Sequence, residues 1–135
     1  MLDNNIISLI EIRMKQAHEC LSASERDINA NAYRSAASRS YYAIFHAMRA
    51  VLAIDCFDSK KHSGIITAFR QRYIKKGIFP VEFSDIIKIA FENRGKGDYD
   101  DFFVISEEEV IEQIENVKTF LTAVENYIKT LQSLL

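Results

Sequence analysis

Residues 38–53, SRSYYAIFHAMRAVLA, thread arginines, tyrosines and a histidine through an otherwise apolar run. At about 100° per residue, Tyr41, Phe45, Met48 and Leu52 share one helical stripe, and Arg39, Tyr42, His46 and Arg49 share a neighbouring one. The apolar stripe has the pattern of a helix packed into a bundle, because aromatic residues at helical spacing usually fill cores. The polar stripe admits two readings. One is a hydrogen-bonded network at the bundle margin, with arginine stems laid along the surface; the other is a set of donors aimed at one ligand.

The flanking segments are helical by the same test. One proline and four glycines in the whole chain leave little punctuation, and they cluster between periodic segments. A first amphipathic helix is expected over about Asn4–Asp27, carrying Ile6, Leu9, Ile10, Ile12 and Met14 and then Ala17 and Leu21. Asparagines at Asn29–Asn31 compete with the helix backbone and mark a break. The second helix then runs from about Ala32 to Ile54, with DCFDS closing it. Asp58 or Ser59 caps a third helix through KKHSGIITAFRQRYIKK, ending at Gly77, which suits a left-handed position. Pro80 opens a fourth, PVEFSDIIKIAFENR, after which GKGDYDDFFVI breaks regularity. Ser106 and Glu109 have capping-box spacing, so a fifth helix is expected over about Glu107–Leu134. The expected fold is all-α, an up-and-down antiparallel four-helix bundle with one additional short helix, forming a single domain over residues 1–135.

Composition narrows the function classes. Apolar residues make up 48% and charged residues 27% of the 135, an ordinary globular balance. Lys plus Arg number 17 against 19 acids, a net charge of −2, so attraction to nucleic acid requires a local basic patch. Cys20 and Cys56 lack zinc-site or disulfide-framework spacing and read as reduced thiols. No apolar run approaches the roughly 20 residues of a membrane span, and a cytoplasmic protein is expected.

Two further clusters carry chemistry. Lys60, Lys61 and His62 fall in the expected first turn of the third helix, where positive charge opposes the helix dipole; a bound anion relieves that conflict, and extension into water is the alternative. In ENRGKGDYDDF, Arg94 is followed by Asp98, Tyr99, Asp100 and Asp101. The acidic spacing matches no EF-hand loop, no metal site is expected, and an ion pair between Asp98 and Arg94 is the structural reading. The chain has no GxSxG, P-loop, GxGxxG or HExxH motif, and no cofactor is expected. Any catalysis therefore falls to acid–base work by His46 or His62, with Arg94 steadying a phosphate.

Three separated stretches, AYRSAASRSYYAIFHAMRAVLA, KKHSGIITAFRQRYI and FENRGKGDYDDFFVISEEEV, resemble in order the HEPN domain (higher eukaryotes and prokaryotes nucleotide-binding), in particular a small prokaryotic subfamily. The resemblance covers nearly the whole chain. It implies a helical bundle that forms a homodimer and is often encoded beside a minimal nucleotidyltransferase, the two acting as a toxin–antitoxin or defence pair. It further implies nucleotide or RNA binding and, in many members, metal-independent ribonuclease activity.

The family's catalytic signature is an arginine followed, after about four to six variable residues, by a histidine. Here Arg94 matches, Tyr99 stands where the histidine is due, and no histidine lies downstream. A tyrosine, with an ordinary pKa of about 10, is a poor acid or base at neutral pH. On this resemblance Arg94, Tyr99 and His46 are the catalytic candidates, and Arg39, Tyr42, Lys61, His62 and Asp98 the nucleotide- or RNA-binding ones. Three functions stay open: a nucleotide- or RNA-binding partner of a nucleotidyltransferase, an active RNA-cleaving toxin, and a structural helical adaptor.

Overall fold

Helix punctuation in this chain is written by left-handed residues. The computed structural model, which describes residues 2–133, has helices α1 (Asn4–Asn29), α2 (Tyr33–Ala53), α3 (His62–Phe69), α4 (Glu82–Tyr99) and α5 (Glu107–Ser133), and no strand among the described residues. Asn31, Cys56 and Gly77 alone of these have clearly positive φ, at 59°, 56° and 80°. Each sits just past a helical segment with the same pair of closing bonds, such as Asn31 N–H to Ile28 C=O at 2.9 Å and Ala32 N–H to Asp27 C=O at 2.8 Å. These satisfy carbonyls that a helix end leaves free. At the α5 start the Ser106 hydroxyl accepts from Glu109 N–H at 3.1 Å, the N-cap bond that the capping-box spacing predicts, and it donates to the Glu109 carboxylate at 3.1 Å, which takes the hydroxyl in place of the Ser106 N–H.

Pairs of contacts fix the helix directions. Ser24 reaches Ala36 and Arg13 reaches Arg49, so α1 and α2 are antiparallel. Lys118 pairs with Glu25 and Glu125 with His18, so α5 runs against α1. Asn93 meets Gln113 and Phe83 stacks on Phe120, so α4 runs against α5. The four long helices thus alternate in direction, as an up-and-down antiparallel bundle requires. The short α3 runs the same way as α2, because His62 meets Tyr41 and Tyr73 meets Val51. Residues 54–61 must therefore retrace the second half of α2 before α3 begins.

At the centre is α2, which packs against α1, α3, α4 and α5. Its Ala36, Ser40, Ala43, Ala47 and Ala50 recur every three or four residues and are at most 1% exposed. This stripe of small side chains lets neighbours approach the α2 backbone closely. Ser24 donates to the Ala36 carbonyl at 2.7 Å, Gln113 to the Ala37 carbonyl at 3.0 Å and Arg13 to the Arg49 carbonyl at 2.9 Å. The apolar stripe is core as expected: Tyr41, Met48 and Leu52 are fully buried and Phe45 nearly so. No described helix is long and apolar enough to cross a membrane.

Four expectations need correction. The GKGDY stretch does not break the fourth helix, since α4 continues to Tyr99. Neither Gly95 nor Gly97 has a positive φ, and helical glycine costs only about 1 kcal/mol, which the Arg94–Asp98 i,i+4 ion pair at 3.1 Å helps to offset. Asp58 and Ser59 do not cap α3: it starts at His62 after Lys61, without a side-chain cap, because both are engaged elsewhere. The third helix is not uniform, and Arg70–Ile74 form a π-helical turn closed by Lys75 N–H on the Arg70 carbonyl at 2.8 Å. Ile12 is 55% exposed, and the adjacent Arg13 is buried in its stead. The expected end of the fifth helix at Leu134 lies outside the described residues.

Replacing Ala47 by Leu is expected to lower unfolding free energy by about 1–3 kcal/mol through overpacking, whereas the exposed Lys129→Ala changes it by less than about 0.5 kcal/mol. Urea denaturation of the two variants checks this.

Candidate functional site

Arg13 lies on α1 among Ile10, Met14 and Ala17, an apolar stripe that leaves the arginine only 6% exposed. A buried cation requires partners, and it finds the Arg49 carbonyl and, at 3.3 Å, the Asp58 carboxylate. Arg49 also binds Asp58, at 3.0 Å. Two guanidiniums therefore share one carboxylate, and the Arg49 hydrogen bonds hold the Asp58 carboxyl below the usual carboxylate range. Asp58 additionally accepts from Ser59 N–H at 2.8 Å, and the Ser59 hydroxyl accepts from Lys61 N–H at 3.2 Å. Gly64 leaves room for this arrangement, because a Cβ at that position would displace the Ser59 hydroxyl from its place.

This anchored loop delivers His62 onto α2. Its ring stacks on Phe45 with centroids 4.1 Å apart, and its Nδ1 lies 2.7 Å from the Tyr41 hydroxyl. Burial pushes the Tyr41 pKa far up, so the phenol keeps its proton, and in the tautomer whose Nδ1 is unprotonated it donates a hydrogen bond to that nitrogen. Neutral His62 then carries its proton on Nε2, which makes that nitrogen a donor. Burial first, and then the Arg94 and Arg49 charges, lower the His62 pKa.

Arg94, on α4, completes the cluster. Its Nη2 donates to the Tyr42 hydroxyl at 3.1 Å, its guanidinium lies over the Tyr42 ring at 5.6 Å, and its Nε faces Asp98 at 3.1 Å without an aligned hydrogen bond. One turn along α2 from Tyr42, His46 is half-buried, and its Nδ1 is buried with no partner among the described residues. Burial, followed by Arg49, Arg13 and His62, depresses the His46 pKa. The result is two imidazoles with lowered pKa values beside three guanidiniums whose only counter-charges among the described residues are Asp58 and Asp98. Such an array is suited to an anion, whose charge would offset the guanidinium charges that lower the imidazole pKa values.

Of the residues expected in a site, Tyr42, His46, His62, Arg94 and Asp98 are brought together. Lys61 adjoins His62 and is exposed. Arg39 stands apart, 54% exposed and paired with Asp27 at 3.1 Å. Tyr99, the last residue of α4, is 83% exposed and outside the cluster. Sequence reading missed Arg13, Tyr41 and Asp58 as site residues. The signal for Arg13 was an arginine in register with an apolar stripe; nothing local in the sequence marks the Tyr41–His62 bond.

The folded-state pKa values of His46 and His62 are depressed, so between those values and about 6.5 the unfolded chain binds more protons than the folded one. Stability is therefore expected to fall as pH drops from 7.5 to 5.5, and His46→Gln to flatten that slope; urea midpoints at the two pH values check it.

Residues 10–127 match the profile of the HEPN domain. A "UPF0332 protein" of Thermotoga maritima is 32% identical over 124 residues, covering 92% of this chain and 94% of the relative. Two proteins of Methanocaldococcus jannaschii are also similar. "Putative toxin MJ0142" is 32% identical over 88% of this chain and 81% of its own length. "Putative toxin MJ0605" is 33% identical over 73% of this chain and 74% of its own.

Proposed function

The chain belongs to the HEPN domain family, and we propose that it is the nucleotide- or RNA-binding member of a toxin–antitoxin or defence pair, acting in the cytoplasm with a nucleotidyltransferase-type partner. The toxin names of the two Methanocaldococcus jannaschii relatives support the toxin side of this reading. The observation that carries binding is the Tyr41–His62–Arg94–Tyr42 array. Its arginine and its Nε2–H imidazole are both donors, the complement of a phosphate, and the imidazole's other nitrogen is occupied by Tyr41. A histidine so held donates well but does not serve as a base, and Tyr99 stands in the family's histidine position.

One observation favours the cleaving alternative. His46 Nδ1 is unpartnered and its imidazole is held neutral beside Arg49, the state a general base needs. Tyr99 has a separate role in the paired reading: exposed and flanked by Asp98 and Asp100, it is a suitable acceptor for a partner. Its phenolic oxygen would attack the α-phosphorus of a nucleoside triphosphate, forming the O–P bond and losing its proton as pyrophosphate leaves. The working unit in this proposal is a homodimer. That rests on the family resemblance: half-buried Ile6 and Leu131 are compatible with it, Ile6 also packs on this chain's own core, Ile10 is spent on that core at 1% exposure, and Leu134 and Leu135 lie outside the described residues.

With a mixed pool of structured RNAs and a chelator present, the wild type is expected to bind without cutting. Arg94→Ala is expected to weaken that binding by about tenfold or more, in line with about 1.5–3 kcal/mol for a hydrogen bond to a charged group. Cleavage that disappears in Arg94→Ala or His46→Ala would instead make this protein a nuclease.

A further inference from the structure

Past its midpoint, α4 leaves the core. Its buried residues are Phe83, Ile87 and Ala90, and no side chain of residues 91–99 is buried, although that stretch carries Arg94 and the helix-weakening Gly95 and Gly97. Phe91 still meets the Tyr41 ring, with centroids 5.7 Å apart, and just past the helix end Arg34 holds the Asp100 carbonyl. Between these two points the directional contacts to other helices are polar. Asn93 Nδ2 donates to Gln113 Oε1 on α5 at 2.7 Å. Gln113 carries the connection on to α2, where its Nε2 donates to the Ser40 hydroxyl at 2.6 Å and to the Ala37 carbonyl at 3.0 Å. Ser40 donates to the same carbonyl at 2.9 Å. Ser40 is fully buried and Gln113 only 4% exposed.

This relay has a fixed sense. A backbone carbonyl can only accept, so Ala37 turns the amide nitrogen of Gln113 toward α2 and its oxygen toward α4, and Asn93 must offer its own amide nitrogen to that oxygen. Both ends of the Gln113 amide are thereby used. Methionine, similar in size and apolar, would fill the space without needing those partners, so packing alone gives no reason for an amide here. What the amide adds is direction. Successive helical residues point about 100° apart, so holding Asn93 on α5 turns Arg94 toward α2, where it meets the Tyr42 hydroxyl and His62.

We infer that Asn93, Gln113 and Ser40 form a positioning strut that sets the place of Arg94 opposite Tyr42 and His62, with Gln113 as its central residue. The strut acts through Arg94 and supplies no group of its own to the cluster. Its consequence for ligands rests on the phosphate-binding reading of Arg94 given above, but the placement of Arg94 is readable without any ligand. His62 reports it: after burial, the Arg94 charge is the main influence lowering the His62 pKa, whereas the charges lowering that of His46 are Arg49, Arg13 and His62.

NMR titration of both histidine rings against pH, beside titration with adenosine monophosphate, tests the strut in wild type, Gln113→Met, Asn93→Ala, Arg94→Ala and their double variants. Gln113→Met and Asn93→Ala are each expected to raise the His62 midpoint, move His46 less, and weaken the mononucleotide about fivefold, short of the loss in Arg94→Ala. The two together should do no more than either alone, and neither should move His62 further once Arg94 is alanine. Asn93→Ala, at a half-buried position, carries the test if Gln113→Met does not fold. A His62 midpoint unmoved by either substitution overturns the strut, and nucleotide binding that still depends on Arg94 then leaves the pocket standing. Equal shifts of both histidines that persist in the Arg94→Ala background would show a general loosening of the bundle and also overturn it. A His62 rise in a protein to which adenosine monophosphate does not bind supports the strut and overturns the phosphate reading.

Discussion

One carboxylate, Asp58, holds the functional half of this molecule in place. It neutralises Arg13, whose guanidinium is sunk into the α1–α2 seam, and it fastens Arg49 on the same helix that bears Tyr41, Tyr42, Phe45 and His46. A buried guanidinium without its counter-ion is far more costly than the pair is stabilising, so this contact acts as a constraint on geometry. Because Asp58 is tied to α2, the chain leaving that helix must double back along it. Only then does His62 arrive against Phe45 and Tyr41, with Arg94 approaching from α4 on the other side.

The faces of α2 divide the labour. Small residues form the seam that lets α1 and α5 side chains reach its backbone, large apolar residues fill the bundle, and Tyr42, His46 and Arg49 border the site. Electrostatics at the site follow from that packing. Burial and the neighbouring guanidiniums both lower the His46 and His62 pKa values, so in the proposed phosphate complex the pocket would carry more positive charge than when free. Under that proposal, binding and protonation are coupled without a moving part.

Much of this was legible in the sequence, and the misses have physical causes. Periodicity revealed the helices, and Asn31, Gly77 and the Ser106–Glu109 pair announced their ends, because each is a local effect of a few adjacent residues. Glycine misled at Gly95 and Gly97, since it tolerates a helix as well as a turn and the deciding Arg94–Asp98 pair forms only once the helix exists. The grouping of Tyr42, His46, His62 and Arg94 came through motif resemblance. Their coupling through Tyr41, Arg13 and Asp58 spans as many as 45 residues and has no local signature. Arg39 illustrates the converse: it shares the polar stripe of the helix but sits about one turn nearer the α1–α2 turn, where Asp27 claims it.

The central claim is that neutral imidazoles beside Arg49 and Arg94 gain protons when a phosphate binds. The most direct measurement is an NMR titration of the His46 and His62 ring resonances against pH, with and without adenosine monophosphate. The account predicts midpoints below the ordinary 6.5 in the free protein and a clear rise of at least one of them with the nucleotide bound. Midpoints already at or above 6.5 in the free protein, or unmoved by saturating nucleotide, would contradict it.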